Sequence, residues 1–130
     1  MITAQPRPPR TILVIEDDSQ FREMLTQLLE RDGDRVVAAG NGVEALAVLE
    51  RITPDLIITD ILMPVMDGVE FVMSLVRRDK HIPVIAISGG WRSITRELNL
   101  QTAEAIGVKV TLGKPFTREQ LRAAIRQALE

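Results

Sequence analysis

Carboxylates cluster at Glu16, Asp17 and Asp18, and a further aspartate, Asp60, follows the apolar run LIIT. A hydroxyl, Ser88, follows PVIAI, and an amine, Lys114, stands just beyond VKVTL. Acidic groups that meet on one rim oppose folding. At about 5 Å and an effective dielectric near 20, each like-charged pair costs roughly 3 kcal/mol. A cation must relieve such a cluster. Hard oxygen ligands without histidine or cysteine point to Mg²⁺, which takes few carboxylates and keeps several waters. Lys114 is the fixed countercharge, so the set suits an anion that arrives with a metal. A metal-held carboxylate can also act as a nucleophile and form an aspartyl-phosphate. In that chemistry Asp60 attacks, Glu16 and Asp17 hold the metal, and Lys114 neutralises the phosphoryl oxygens. Ser88 is placed to donate a hydrogen bond to the transferred group. The plainer readings are structural: an acidic residue after a strand is often a helix N-cap, a role expected of Asp18 or Ser19. Ser88 taken alone also reads as an ordinary loop serine.

These residues do chemistry together only if a fold brings them to one rim. Thr11–Ile15, Arg35–Ala38, Leu56–Thr59, Pro83–Ile87 and Val108–Leu112 read as strands, three of them continuous apolar runs suited to a parallel sheet covered on both faces. Pro83 is acceptable as the opening residue of its strand. Between them, Phe21, Met24, Leu25, Leu28 and Leu29 repeat at helical spacing as one apolar stripe. Asn41–Glu44, Asp67–Glu70 and Thr117–Gln120 each match a capping box, and Pro54 is expected to close the second helix. A fourth helix is expected near 92–106, with Ile94, Leu98, Ala105 and Ile106 inward. The last helix carries Leu121, Ile125 and Leu129 as its stripe. Five strands alternating with five helices predict an α/β fold with an open, doubly wound parallel sheet. Ligands on such sheets bind beyond the carboxyl ends of the strands, where the acidic, hydroxyl and amine residues stand.

Composition narrows the classes. The 130 residues suit one domain, and 45% hydrophobic with 26% charged is a globular balance. With no cysteine, disulfides and thiolate chemistry are excluded. A formal charge of −2 offers no broad basic field, so no nucleic-acid partner is expected. No apolar run approaches the roughly 18 residues of a membrane span. Residues 1–10, with Pro6, Pro8 and Pro9 but no apolar core, read as a short disordered tail and not as a signal peptide. A single domain over 11–130 and a cytoplasmic, membrane-free setting are the expectations.

The segments ILVIEDDSQFREML, PDLIITDILMPVMDG, PVIAIS and GKPF, in this order, resemble the response-regulator receiver family from Thr11 to Glu130. The resemblance implies a flavodoxin-like strand order 2-1-3-4-5. It implies that Glu16 and Asp17 bind Mg²⁺ together with Asp60, with Leu62 giving a backbone carbonyl to the metal. Asp60 is then the residue phosphorylated by a histidine kinase or histidine phosphotransfer protein, and Ser88 and Lys114 are the matching hydroxyl and amine. A cis Lys114–Pro115 bond is implied as well. Such a domain belongs to a two-component phosphorelay and is a signalling phosphoacceptor, not an enzyme, beyond its own phosphotransfer and autodephosphorylation. Its unknown downstream partner would read the face of the fourth helix, fifth strand and fifth helix, which also serves for homodimers.

Two positions depart from the family pattern. Thr111 stands where an aromatic switch residue is common, and Ser88 is followed by Gly89 and Gly90. The usual coupling of hydroxyl to aromatic cannot run in that form. Trp91, the single tryptophan, reads either as half packed over the sheet edge or as a replacement switch or partner contact. His81 reads as a solvated loop residue, and Met63 and Met66 as packing residues. An aspartate-nucleophile hydrolase is the enzyme rival; it would want D-x-D after the first strand, where this chain has Glu16-Asp17-Asp18-Ser19. A nucleotide or flavin binder would want a glycine-rich loop there. A receiver-shaped module that never turns over phosphate is a third. A DNA-binding regulator would need an output domain, and none follows the last helix. The expectation is a stand-alone receiver or one piece of a longer protein, with Met1 and its tail favouring an intact N-terminus.

Overall fold

The computed structural model describes residues 7–60, 68–78, 81–89 and 108–130. Its strands are β1 (Thr11–Ile15), β2 (Arg35–Ala39), β3 (Leu56–Asp60), β4 (Val84–Gly89) and β5 (Val110–Lys114). They form one parallel sheet in the order β2-β1-β3-β4-β5. The described helices, labelled in chain order, are α1 (Ser19–Arg31), α2 (Gly42–Leu49), α3 (Gly68–Arg77) and α4 (Arg118–Ala128). The helix expected near 92–106 lies outside the described residues, as do Asp67, Leu62, Met63, Met66 and Trp91.

Strand residues sort by the two-residue period into two cores. Leu13, Ile15, Ile57, Val84 and Ala86 pack with Ala45, Val48 and Leu49 of α2 and Phe71 and Leu75 of α3. Their alternates Ile12, Val14, Leu56, Ile58, Ile85 and Ile87 pack with Leu25 and Leu29 of α1 and with Leu121, Ala124, Ile125 and Ala128 of α4. The central strands are thus covered on both faces, which is why they read as unbroken apolar runs.

Local punctuation differs in places from expectation. Met24 is 42% exposed, so the inward stripe of α1 is Leu25 and Leu29, with Phe21 and Leu28 partly buried. In α4 the alanines 124 and 128 join Leu121 and Ile125, while Leu129 stands outside as C-cap and is exposed. Thr117 and Gln120 form the reciprocal capping box. Asn41 caps α2 through the Glu44 N–H, but Glu44 reaches back one residue further, to the N–H of Gly40 at 3.2 Å. Helix α2 stops at Leu49, closed by tight turns onto Ala47 and Val48 several residues before Pro54. Strand β4 begins after Pro83, and β5 runs from Val110, two residues later than expected, on through Lys114. Gly33 ends α1 at φ 91°, a left-handed conformation that a side chain would strain.

Arginine–aspartate pairs tie the pole away from the strand ends. Asp34, its side chain wholly buried, accepts from Arg7 at 2.6 Å and from Arg10 at 3.2 Å. Asp32 accepts from Arg118 and Arg122 of α4, each at 2.6 Å. The Arg122 hydrogen bond above all, with Arg118 beside it, holds the Asp32 carboxyl well below the usual carboxylate range. His81 is exposed ahead of β4.

Candidate functional site

The site stands at the carboxyl ends of the central strands, where the parallel topology brings residues distant in sequence together. Glu16 directly follows β1, held to β2 by its N–H to the Ala39 carbonyl at 3.0 Å. Asp60 is the last residue of β3, opposite Ile87 in register. Lys114 ends β5 opposite Gly89, and its side chain reaches past β4 to the acidic residues. The Lys114–Pro115 bond is cis.

Lys114 Nζ donates to Glu16 Oε1 at 2.6 Å and to Asp60 Oδ2 at 2.8 Å. Glu16 and Asp60 are buried, at 2% and 8% exposure, while Asp17 is exposed at the mouth. One carboxylate oxygen from each of Glu16, Asp17 and Asp60 lies within 4.8 Å of the others. Asp18 turns away: it is the N-cap of α1, accepting from the N–H groups of Gln20 and Phe21 at 2.9 and 3.1 Å. Its own N–H donates to Glu16 Oε2 at 3.1 Å, so the cap also orients the buried carboxylate. Arg22 fixes the same turn by donating to the Glu16 carbonyl at 2.7 Å.

The electrostatics of the pair are unequal. Burial pushes the Glu16 carboxyl from its ordinary 4.5 up to about 7; the Lys114 hydrogen bond opposes this, and the nearby Asp60 reinforces it. Burial alone would depress Lys114, yet the hydrogen bonds it donates to Asp60 and Glu16 outweigh it and hold the ammonium above its ordinary value. One ammonium serves two buried acids. Lys114 is therefore firmly charged, while Glu16 carries its charge at a cost.

A family model described as the response regulator receiver domain matches residues 12–126. The chain belongs to this family. Among solved structures it is similar to the chemotaxis response regulator CheY4 of Vibrio cholerae, 31% identical with a TM-score of 0.83, covering 94% of this chain and all of that one. A receiver domain protein from Clostridium thermocellum is also 31% identical, with a TM-score of 0.80 over 92% of this chain and 94% of that one. Among curated relatives, the DNA-binding response regulator MtrA of Mycobacterium tuberculosis is 30% identical over 118 residues, 91% of this chain. The chain spans about half the length of the curated relatives it matches. The DNA binding in that name is said of MtrA.

Receiver domains are the response-regulator components of two-component signalling, and they are signalling proteins, not classical enzymes. In this receiver, Glu16, Asp17, Asp60 and Lys114 come together as the sequence predicts. Ser88 lies in β4 opposite Gly113, at the same rim, and its side chain and Leu62 lie outside what is described. Thr111 is half-buried on β5, opposite Ala86.

Sequence reasoning missed one participant. Phe21, assigned to the α1 stripe, places its ring 4.2 Å from Lys114 Nζ. Its position in the first turn after the Asp18 cap was the available signal, because that turn opens onto the acidic rim.

Proposed function

We propose that Asp60 accepts a phosphoryl group from a histidine kinase or histidine phosphotransfer protein, in the presence of Mg²⁺, and that a protein partner reads the change. The observation that carries this reading is the Lys114 ammonium bridging Glu16 and Asp60 while Asp17 completes a three-carboxylate cluster. An all-oxygen donor set without histidine or cysteine fits a hard cation, and the exposed Asp17 leaves a side open for the waters that Mg²⁺ retains. Glu16, Asp17 and Asp60 would hold the ion, with the Leu62 carbonyl completing the set. When bound, Mg²⁺ supplies charge neutralisation at the phosphoryl oxygens.

The residues then divide the work. An Asp60 carboxylate oxygen forms a bond to phosphorus as the phosphorus–nitrogen bond of the donor histidine breaks, which needs no oxidant or further reactant. Lys114 moves from its two carboxylates onto the incoming oxygens, and Ser88 donates to the same group after transfer. The added charge, about −1.5 to −2, falls on a rim already acidic, and redistribution of these contacts biases the carboxyl end of β4 at Ser88 and Gly89. Thr111 precludes an aromatic relay at its position, so switching runs through that end of β4 toward the face of β5 and the last helix. Ordinary hydrolysis of the acyl phosphate resets the site. We assign this domain to residues 11–130, in a cytoplasmic setting, with a protein as its partner, neither nucleic acid nor membrane being engaged by the receiver itself. A homodimer through the same face belongs to this reading. Among the described residues no helix is long and apolar enough to cross a membrane.

Transfer from a radiolabelled phosphohistidine donor tests the reading. It expects Mg²⁺-dependent label on the wild type that hydroxylamine removes, as an acyl phosphate requires, and none on Asp60→Asn. Hydroxylamine-resistant label, or equal label on the variant, would place the acceptor elsewhere.

A further inference from the structure

We propose that Phe21 is a positioning residue for Lys114, its ring seating the ammonium that the phosphoryl group must meet. The inference rests on the phosphoacceptor reading above. Lys114 Nζ stands 4.2 Å from the centroid of the Phe21 ring, a distance at which the negative face of the ring attracts a cation. The ring is itself held: Phe116 meets it edge-on, with centroids 5.7 Å apart and planes at 86°. Phe116 lies two residues after Lys114, so the turn that delivers the amine also delivers the brace for its seat. From the other side, the Asp18 cap fixes the start of α1 by accepting the Phe21 N–H at 3.1 Å. Chain segments far apart in sequence thus converge on one ammonium.

The ring does something the carboxylates cannot. Lysine is a compact charge on a flexible four-carbon stem, and the Lys114 side chain is 23% exposed, with a way out to solvent. During phosphoryl transfer its anionic partners change: Asp60 becomes an acyl phosphate, and Glu16 would be engaged by the metal. Phe21 neither titrates, binds metal nor takes phosphate. It is the contact that stays the same before and after transfer, keeping the ammonium over the rim while its other partners are exchanged. Simple packing is the competing explanation, since Phe21 and Phe116 also lie against the core of that face; leucine would serve packing about as well as phenylalanine.

The test compares wild type, Phe21→Leu and Phe21→Tyr. Beryllofluoride with saturating Mg²⁺ is the phosphoryl mimic, and the Lys114 Hε resonances report whether the chain sits on a ring. The inference expects upfield ring-current shifts in wild type and Phe21→Tyr that vanish in Phe21→Leu. It also expects beryllofluoride affinity about three- to ten-fold weaker in Phe21→Leu, with Phe21→Tyr within about twofold of wild type. Equal affinity in Phe21→Leu and wild type would overturn the role of Phe21 and leave the phosphoacceptor reading standing. Unshifted Lys114 resonances in wild type would overturn it as well, and this arm holds even if Phe21→Leu fails to fold. If wild type itself, with Mg²⁺ bound, takes no beryllofluoride, the phosphoacceptor reading falls and this inference falls with it.

Discussion

Replacing Glu16 by glutamine should stabilise the metal-free protein at alkaline pH while removing its response to Mg²⁺. Glu16 is 2% exposed, and burial raises its carboxyl from 4.5 to about 7 even with Lys114 at 2.6 Å. Because the folded value lies above the unfolded one, the folded state holds the proton more tightly. The stability this contributes is complete below about pH 4.5 and is lost as pH rises through about 7. At about 1.36 kcal/mol per pH unit, that interval corresponds to roughly 3 kcal/mol. Glutamine resembles the protonated acid in size and polarity and never ionises, so it escapes the loss. Urea unfolding in EDTA should therefore show Glu16→Gln about 1–3 kcal/mol more stable than wild type near pH 8.5, with the curves converging near pH 5. Mg²⁺ at about 1,000 times Kd should reverse the order, since binding there adds about 4.1 kcal/mol to the protein that binds it. A variant less stable than wild type near pH 8.5 would refute the reasoning. It would mean that the attraction of Lys114 exceeds the cost of burying the charge.

Other consequences follow from the same contacts. Asp34→Ala should lower stability by roughly 1–3 kcal/mol in urea unfolding near neutral pH, because Arg7 and Arg10 lose the buried carboxylate they share. Burial works against the Asp34 charge, but the two arginine hydrogen bonds outweigh it and depress its value. Its contribution is thus present above about 3.8 and lost as pH falls further, so the variant and wild type should converge in acid. Thr117→Ala removes one half of the α4 capping box and should cost about 1 kcal/mol. Hydrogen exchange should report that loss first in the opening turn of the helix.

The strands were legible because β1 and β3 are apolar on both faces, and the helices because caps such as Asp18 and Thr117 are local in sequence. What stayed hidden was set by tertiary contact. Met24 obeys the helical period yet faces water, since α1 meets the sheet along a narrower stripe centred on Leu25 and Leu29. Glu44 accepts from the Gly40 N–H and from the side-chain amide of its cap Asn41, and its hydrogen bond to the backbone one residue beyond the cap is not encoded in the capping-box spacing. The acidic residues and Lys114 could be assigned to strand ends, and the register of a parallel sheet did the rest. The position of Phe21 in the turn after the Asp18 cap places it near the rim, but helical spacing alone does not tell whether its ring faces the core or a lysine from another strand. The clasp of Arg7 and Arg10 on Asp34 was equally invisible, since nothing local in the proline-rich tail announces a buried partner.

The unequal sharing of one lysine between two buried acids explains why such a site would favour a metal and a phosphoryl group. The metal relieves a cluster that the fold assembles with too little positive charge of its own, and the phosphoryl group, itself anionic, is accommodated only with that cation and Lys114. The most direct test is intact mass after incubation with acetyl phosphate and Mg²⁺, on wild type and Asp60→Asn. A single phosphoryl adduct on wild type and none on the variant is the result this account predicts. An adduct of equal yield on Asp60→Asn would contradict it, as would no adduct on wild type with Mg²⁺ bound and beryllofluoride refused.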